Sequence, residues 1–104
     1  INKQDGLINW SKSAQEIERM VRAFYPWPSA YFYFNNEIFK IYDSIYIKEE
    51  AIKAKIGEVI DDNLRIMCGN GILEIKKIQR QGKNILSKEE FLRGFKIPRG
   101  SILG

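Results

Sequence analysis

The chain has 104 residues, 44% of them hydrophobic, which is enough for one compact core, so we expect a single domain spanning residues 1–104. It contains no histidine and one cysteine, Cys68, which excludes imidazole catalysis, an internal disulfide and the common zinc motifs. The net charge of +4 is uneven: residues 1–75 carry nine Lys/Arg against eleven Asp/Glu, and residues 76–104 carry eight against two. Because histidine and a cysteine pair are both missing, we expect no catalytic residue and no metal site. The basic end indicates either a polyanion partner or a solvated surface.

The apolar segments are all shorter than the roughly 18 residues that cross a membrane, and no basic, apolar leader opens the chain. A single free thiol also suits a reducing compartment. We therefore expect a cytoplasmic monomer with no membrane partner. Because the sequence does not begin with methionine, we expect a segment of a longer protein.

A helix is predicted at 13–24. Ser13 followed three residues later by Glu16 is the sequence of a capping box, in which each side chain bonds the other residue's backbone N–H. Apolar residues then recur at helical spacing on one face. Pro26 and Pro28 push the residues before them out of helical angles, so the helix must end by residue 25.

Trp27 lies between these two prolines. An exposed Pro-Trp-Pro segment could be the ligand of a proline-reading domain, but this one joins a helix to a strand that both need to pack. We therefore predict a rigid corner that presses Trp27 into the core. On that interpretation Trp27→Ala would cost about 3–5 kcal/mol.

Strands rich in aromatic and β-branched residues are predicted after residue 30. They cover 31–34, 38–47, 59–60, 64–68 and 72–78, with a turn at 35–36 and a type I′ hairpin turn at 70–71. A second capping box, Ser87 with Glu90, predicts a short helix that Gly94 ends, followed by an irregular tail. This order predicts a mainly β fold: a small antiparallel β-barrel with an N-terminal helix and a short C-terminal helix.

The aromatic run 31–34 alternates faces along its strand, so one pair of rings could stack nucleic-acid bases on an exposed sheet. The alternative is that the barrel interior covers one face and the preceding helix covers the other. We favour the covered arrangement because that helix needs a partner for its apolar face.

Basic residues crowd the segment 76–104. Four of them lie at the end of a strand and in the turn after it, where Gly82 lets the backbone approach a ligand closely. Without a base-reading motif the pattern indicates contact with phosphates. The predicted phosphate contacts are Lys76, Lys77, Arg80 and Lys83, with weaker contributions from Lys88, Arg93, Lys96 and Arg99.

Two other features receive structural interpretations. Cys68 lies in a strand pattern with no base to activate it, so we predict a buried, inert thiol. The pair Asp61-Asp62 lacks the further oxygen ligands that a calcium site needs, and a polar turn explains it as well.

Four motifs occur in one order along the chain, and such a series is more specific than any single motif. They are Asp5-Gly6-x-Ile8-x-Trp10, Arg22-Ala23-Phe24-x-Pro26-Trp27-Pro28, Cys68-Gly69-x-Gly71 and Gln79-x-x-Gly82-Lys83. Together they resemble the C-terminal domain of the methionyl-tRNA formyltransferase family over nearly the whole chain. The segment 49–56 matches poorly, and we assign it no role.

This resemblance implies an open, antiparallel β-barrel similar to oligonucleotide-binding (OB) folds. It also implies an N-terminal catalytic domain of the same polypeptide, absent from this chain, which transfers a formyl group from 10-formyltetrahydrofolate to the amino group of initiator methionyl-tRNA in translation initiation. The chain itself would then be non-catalytic, bind no cofactor, and hold the tRNA through its basic surface.

The sequence departs from the family pattern at three positions. The family often has Asn where Tyr25 stands and Gly where Ser29 stands, so the corner is expected to differ slightly. A basic residue often follows the position of Lys83, where this chain has Asn84, and this weakens any tRNA contact at position 84.

Two other functions stay open. The equivalent domain of a sugar-nucleotide formyltransferase or of a folate dehydrogenase would bind no nucleic acid, which leaves the basic segment without a use. A protein-interaction module would instead expose Tyr31, Tyr33 and Trp27 as an apolar patch.

Overall fold

A computed structural model describes residues 2–49 and 51–104. Within these ranges, a 3₁₀ turn at Lys3–Gly6 precedes two helices and five strands. In chain order these are α1 (Ala14–Ala23), β1 (Ala30–Phe34), β2 (Glu37–Ile47), β3 (Arg65–Met67), β4 (Ile72–Arg80), β5 (Ile85–Ser87) and α2 (Lys88–Gly94). Neither helix in the described part of the chain is long and apolar enough to span a bilayer. The mainly β architecture with one helix before the sheet and a short one after it is confirmed.

The strands form one antiparallel sheet in the order β1-β2-β4-β3, and β5 pairs with β4. The long strand β2 shifts its register against β4 between Ile41 and Ser44. Such bulges bend a strand and increase its local twist. The sheet accordingly curls into an open half-barrel, as the family resemblance implied.

Both predicted capping boxes are present. The Ser13 hydroxyl accepts from the Glu16 N–H, and the Glu16 carboxylate accepts from the Ser13 N–H. Ser87 and Glu90 repeat this exchange at the start of α2. These bonds satisfy orphan donors in the first turn of each helix, so both helix starts are fixed locally.

The turns differ in part from the prediction. Asn35 and Asn36, between β1 and β2, both have positive φ (51° and 63°), the pattern of a two-residue type I′ hairpin. The hairpin between β3 and β4 is longer, because its connection comprises residues 68–71 and its one positive φ belongs to Gly71. The predicted type I′ turn at 70–71 is therefore wrong, although the hairpin itself is confirmed.

The tryptophan in the core is Trp10, which is 5% exposed and packs its ring edge against Phe32. Trp27 is 58% exposed, so its predicted burial is wrong. The physical reason is the shape of the loop 24–29. The Ser29 N–H donates to the Phe24 carbonyl at 3.0 Å, and Ser29 and Pro28 are the buried residues of this loop. The intervening Tyr25 and Trp27 therefore point outward.

The tail after Pro98 is ordered by backbone pairing. The N–H and carbonyl of Tyr33 bond those of Gly104 at 2.9 and 3.0 Å, which covers the edge of β1. Val59 bonds Ser101 and Gly57 bonds Leu103, so the predicted strand at 59–60 exists as single bridges rather than as a regular strand. Leu103 is buried in the core by this pairing.

Candidate nucleic-acid interface

The strand β4 divides the predicted basic residues between two faces of the sheet. Its pairing with β5 is regular over residues 77–79 and its pairing with β2 is regular over residues 78–80, so the side chains of residues 77–80 alternate. Lys77 and Gln79 therefore share one face, while Ile78 and Arg80 share the other. The structure does not bring the eight predicted phosphate contacts onto a single surface.

Lys88 is turned inward. Its ammonium lies 2.8 Å from the Glu74 carboxylate, and both side chains are more than nine-tenths buried. Arg65 and Lys76 approach the same carboxylate at 3.1 and 3.4 Å. Burial alone would raise the pKa of Glu74, but the hydrogen bonds from Lys88, Arg65 and Lys76 outweigh it and lower the pKa to about 2. Lys88 thus neutralises a buried anion.

Arg80 and Lys83 line one groove of about 380 Å³ between the β4–β5 turn and α2. The Arg80 guanidinium lies over the Phe95 ring, 4.3 Å from its centroid, and pairs with Glu37 at 3.1 Å. These two contacts hold Arg80 in place. Lys83, by contrast, is exposed, and it follows Gly82, which adopts a positive φ of 77° in the β4–β5 turn.

Four predicted contacts are exposed with no carboxylate of the described residues within 4.0 Å of their charged groups: Lys77, Lys83, Arg93 and Lys96. Arg99 is exposed too, and its nearest carboxylate is that of Asp62, 3.9 Å away. An exposed pair at this distance is weak in water, so the Arg99 cation stays accessible.

A second site lies on the face that Lys77 and Gln79 share. The sequence left open base stacking on the run 31–34 and an exposed patch of Tyr31, Tyr33 and Trp27, but it did not predict the basic and amide side chains of this site. It is a cleft of about 440 Å³ lined by Lys3, Gln4, Trp27, Pro28, Tyr31, Tyr33, Ile38, Lys40, Gln79 and Gln81. We refer to it below as the aromatic cleft. The sequence contains one indication of this site. A two-residue turn at 35–36 places Lys40 directly opposite Tyr31, so a cation lies beside that ring.

The aromatic cleft corrects the prediction that both faces of the run 31–34 are covered. Phe32 is fully buried and Phe34 packs on Phe39, so the interior face is as expected. The opposite face keeps Tyr33 42% exposed. Tyr31 on that face is buried, but α1 packs mainly on β2 and β4, which leaves Tyr33 without a helix over it.

The two residual features have structural roles. Cys68 is buried as predicted, and this burial raises the pKa of its thiol to about 12, which disfavours the reactive thiolate. Asp61 lies in a turn, where it accepts from the Asn63 N–H and pairs with Arg65. In the described ranges, no group of three or more His, Cys, Asp or Glu side chains could hold a metal ion.

An open antiparallel half-barrel with unpaired cations and exposed aromatic rings on its sheet has the architecture of small barrels similar to OB folds. The sequence model of the family described as "Formyl transferase, C-terminal domain" matches residues 1–96. The chain belongs to this family.

Curated relatives agree with that assignment, and a solved structure shares the fold. A methionyl-tRNA formyltransferase of Rickettsia bellii (strain RML369-C) is 47% identical over 98 residues, covering 94% of this chain and 32% of the relative. One of Rickettsia felis (strain ATCC VR-1525 / URRWXCal2) is 45% identical over 103 residues, covering 99% and 34%. The chain thus spans about a third of the length of these curated relatives. HypX from Aquifex aeolicus, in complex with tetrahydrofolic acid, has the same fold: TM-score 0.65 and 20% identity, over 97% of this chain and 21% of that one.

Proposed function

We propose that this chain is the C-terminal tRNA-binding domain of a methionyl-tRNA formyltransferase. In this proposal, residues 1–104 hold initiator methionyl-tRNA in the cytoplasm. An N-terminal catalytic domain of the same polypeptide transfers the formyl group of 10-formyltetrahydrofolate to the amino group of the methionyl residue, for translation initiation. The observation that carries the proposal is identity of 47% and 45% to relatives of that name over nearly the whole chain.

The same relatives favour this function over the alternatives. A sugar-nucleotide formyltransferase or a folate dehydrogenase would leave the exposed basic residues of 76–104 without a ligand. The similarity to HypX, at 20% identity, supports the fold and does not choose among these activities.

The proposed contacts follow from exposure. The main set comprises Lys77, Lys83, Arg93 and Lys96. Among the described residues, none of these four side chains has to break an ion pair in order to contact a phosphate. Lys76, Arg80 and Arg99 would each have to leave or share a carboxylate. We leave Lys88 out, since extracting its ammonium would expose the buried Glu74 charge.

A salt titration tests the proposal. The chain should bind tRNA with a Kd of about 10⁻⁴–10⁻⁶ M, and log K should fall linearly with log salt because phosphate contacts release counterions. Lys83→Glu should weaken binding and reduce the salt slope by about 1.

Lys53→Glu is the matched control. Lys53 is exposed and lies outside the basic segment, and the substitution changes the net charge equally. If Lys83→Glu weakens binding no more than Lys53→Glu does, the contact set is wrong. If tRNA does not bind at low salt, or binds independently of salt, the proposed function is wrong.

A further inference from the structure

The aromatic cleft is built on two rows of side chains across the sheet. In the first row Tyr31 pairs with Lys40, which pairs with Gln79, so a ring, an ammonium and an amide lie side by side on β1, β2 and β4. In the second row Tyr33 pairs with Ile38. The regular register fixes the spacing of these groups, and the loop that contains Trp27 forms one wall.

The second row is extended by Gln81. The Ile38 N–H donates to the Gln81 side-chain oxygen at 2.9 Å, and the Gln81 N–H donates to the Ile38 carbonyl at 3.0 Å. This exchange orients the Gln81 amide group at the margin of the cleft. A polar group is therefore held in a fixed position beside two exposed rings.

The chemistry of the lining is selective. Trp27 and Tyr33 are exposed rings, and Lys3 and Lys40 are cations. Gln4 offers a donor and an acceptor, and Gln81 offers the N–H groups of its amide, whereas the Gln79 amide already accepts from the Tyr42 hydroxyl and donates to the Lys83 carbonyl. None of the lining residues, all of which lie in the described part of the chain, is acidic. The set therefore suits a ligand that combines a planar ring, polar edges and negative charge.

We propose that the aromatic cleft binds an unstacked base of single-stranded RNA. The base stacks on Trp27 and Tyr33, its polar edge bonds a glutamine amide, and the adjoining phosphates contact Lys3 and Lys40. The volume of about 440 Å³ falls in the range of small-ligand sites and is sufficient for one nucleotide. The site rests on the proposed function only in taking RNA as its ligand, since none of the proposed phosphate contacts lines it.

Charge continuity favours RNA over a protein surface as the occupant. Lys77 is exposed two residues from Gln79 along the same face of β4, so a strand leaving the cleft would meet a further cation. An apolar protein contact would gain nothing from Lys3 and Lys40, which it would have to desolvate.

Tryptophan fluorescence tests the site directly. Trp10 is buried, so an external ligand should act on the emission of Trp27. Hexauridylate, an unstacked single strand, should quench this emission, whereas a blunt 12-base-pair RNA duplex should not, because its bases are already stacked. Failure of hexauridylate to quench Trp27 would overturn the proposal, as would equal quenching by the duplex.

Variants then measure the stacking contribution by the anisotropy of labelled hexauridylate. Trp27→Ala should weaken binding roughly 5- to 140-fold, which corresponds to a stacking free energy of about 1–3 kcal/mol. Trp27→Phe should restore most of the affinity. Tyr46→Ala is the matched control, since Tyr46 is an exposed ring on β2 that does not line the cleft. Equal affinity of the Trp27→Ala variant would overturn the proposal in favour of another occupant, such as a protein surface.

The outcome is separable from that of the proposed function. Lys83→Glu should weaken tRNA binding and leave the quenching of Trp27 by hexauridylate nearly unchanged. If hexauridylate still quenches Trp27 but Lys83→Glu does not weaken tRNA binding, only the proposed phosphate contacts are contradicted. Normal tRNA binding without quenching by hexauridylate would contradict the aromatic cleft alone.

Discussion

The ammonium of Lys88 and the carboxylate of Glu74 form a buried ion pair that joins the first residue of α2 to the middle of β4. The two charged groups are 2.8 Å apart, and the side chains are 9% and 7% exposed. Glu74 also receives Arg65 and Lys76, whereas no other carboxylate of the described residues lies within 4.0 Å of Lys88. The pair is therefore asymmetric: Glu74 has three cationic partners and Lys88 has one anionic partner.

This asymmetry predicts unequal costs of substitution. Glu74→Gln leaves the Lys88 charge buried without an anion and should lower the free energy of unfolding by on the order of 3 kcal/mol. Lys88→Met leaves Glu74 with two cations and should cost ~1 kcal/mol. Urea unfolding at pH 7 measures both. Equal losses for the two variants would contradict the asymmetry.

The low pKa of Glu74 predicts a loss of stability in acid. The folded protein holds this carboxylate ionised down to a pKa of about 2, below its ordinary value of 4.5, so the unfolded chain binds the proton first as the pH falls. The stabilisation is complete above about pH 5 and is lost as the pH falls towards 2, for a total on the order of 3 kcal/mol. Unfolding free energies at pH 7, 5 and 3 should fall more steeply for the parent chain than for Glu74→Gln. Parallel curves would show that other carboxyl groups cause the acid sensitivity.

Local interactions explain what the sequence predicted well. Each capping box is formed by two residues three apart, so its sequence alone fixes the start of α1 or α2. The hairpin at Asn35-Asn36 is equally local, since asparagine tolerates the positive φ that a tight turn requires. The mainly β fold and its flanking helices were predictable for this reason.

Contacts distant in sequence explain what could not be predicted. Lys88 looks like its basic neighbours, and its burial depends on Glu74, which lies 14 positions earlier. The exposure of Trp27 was missed for a different reason: it depends on a local loop closed by the Ser29 N–H and the Phe24 carbonyl, and the sequence pattern does not specify this closure. Ser29 also has φ 72°, a backbone region that glycine adopts at little cost, which is consistent with the glycine that the family resemblance implies at this position.

Two glycines of the family motifs are fixed by close approach of the backbone. A methyl group on Gly69 would overlap the Ser11 carbonyl oxygen, and one on Gly6 would overlap the Ser29 carbonyl oxygen. Gly69→Ala and Gly6→Ala should each cost about 3 kcal/mol or more in thermal or urea unfolding, because a backbone atom must move.

Gly94 provides the control for these substitutions. It ends α2, and a methyl group there would meet no atom of the described residues within 4 Å beyond its own helix and chain neighbours. Gly94→Ala should therefore be neutral or raise stability by up to about 1 kcal/mol through helix propensity. A comparable loss for all three alanine variants would mean that chain flexibility, not overlap, is the cause.

The two tryptophans should respond oppositely to truncation. Trp10 is 5% exposed and packs on Phe32, so Trp10→Ala should lower the free energy of unfolding by about 3–5 kcal/mol. Trp27 is 58% exposed, so Trp27→Ala should cost less than about 1 kcal/mol, because most of the ring is already in water. Urea unfolding followed by far-ultraviolet circular dichroism measures both without relying on either indole. A soluble quencher should reach the emission of the Trp10→Ala variant, which comes from Trp27, much more readily than that of the Trp27→Ala variant. The reverse order of either measurement would place Trp27 in the core and remove the stacking surface from the aromatic cleft.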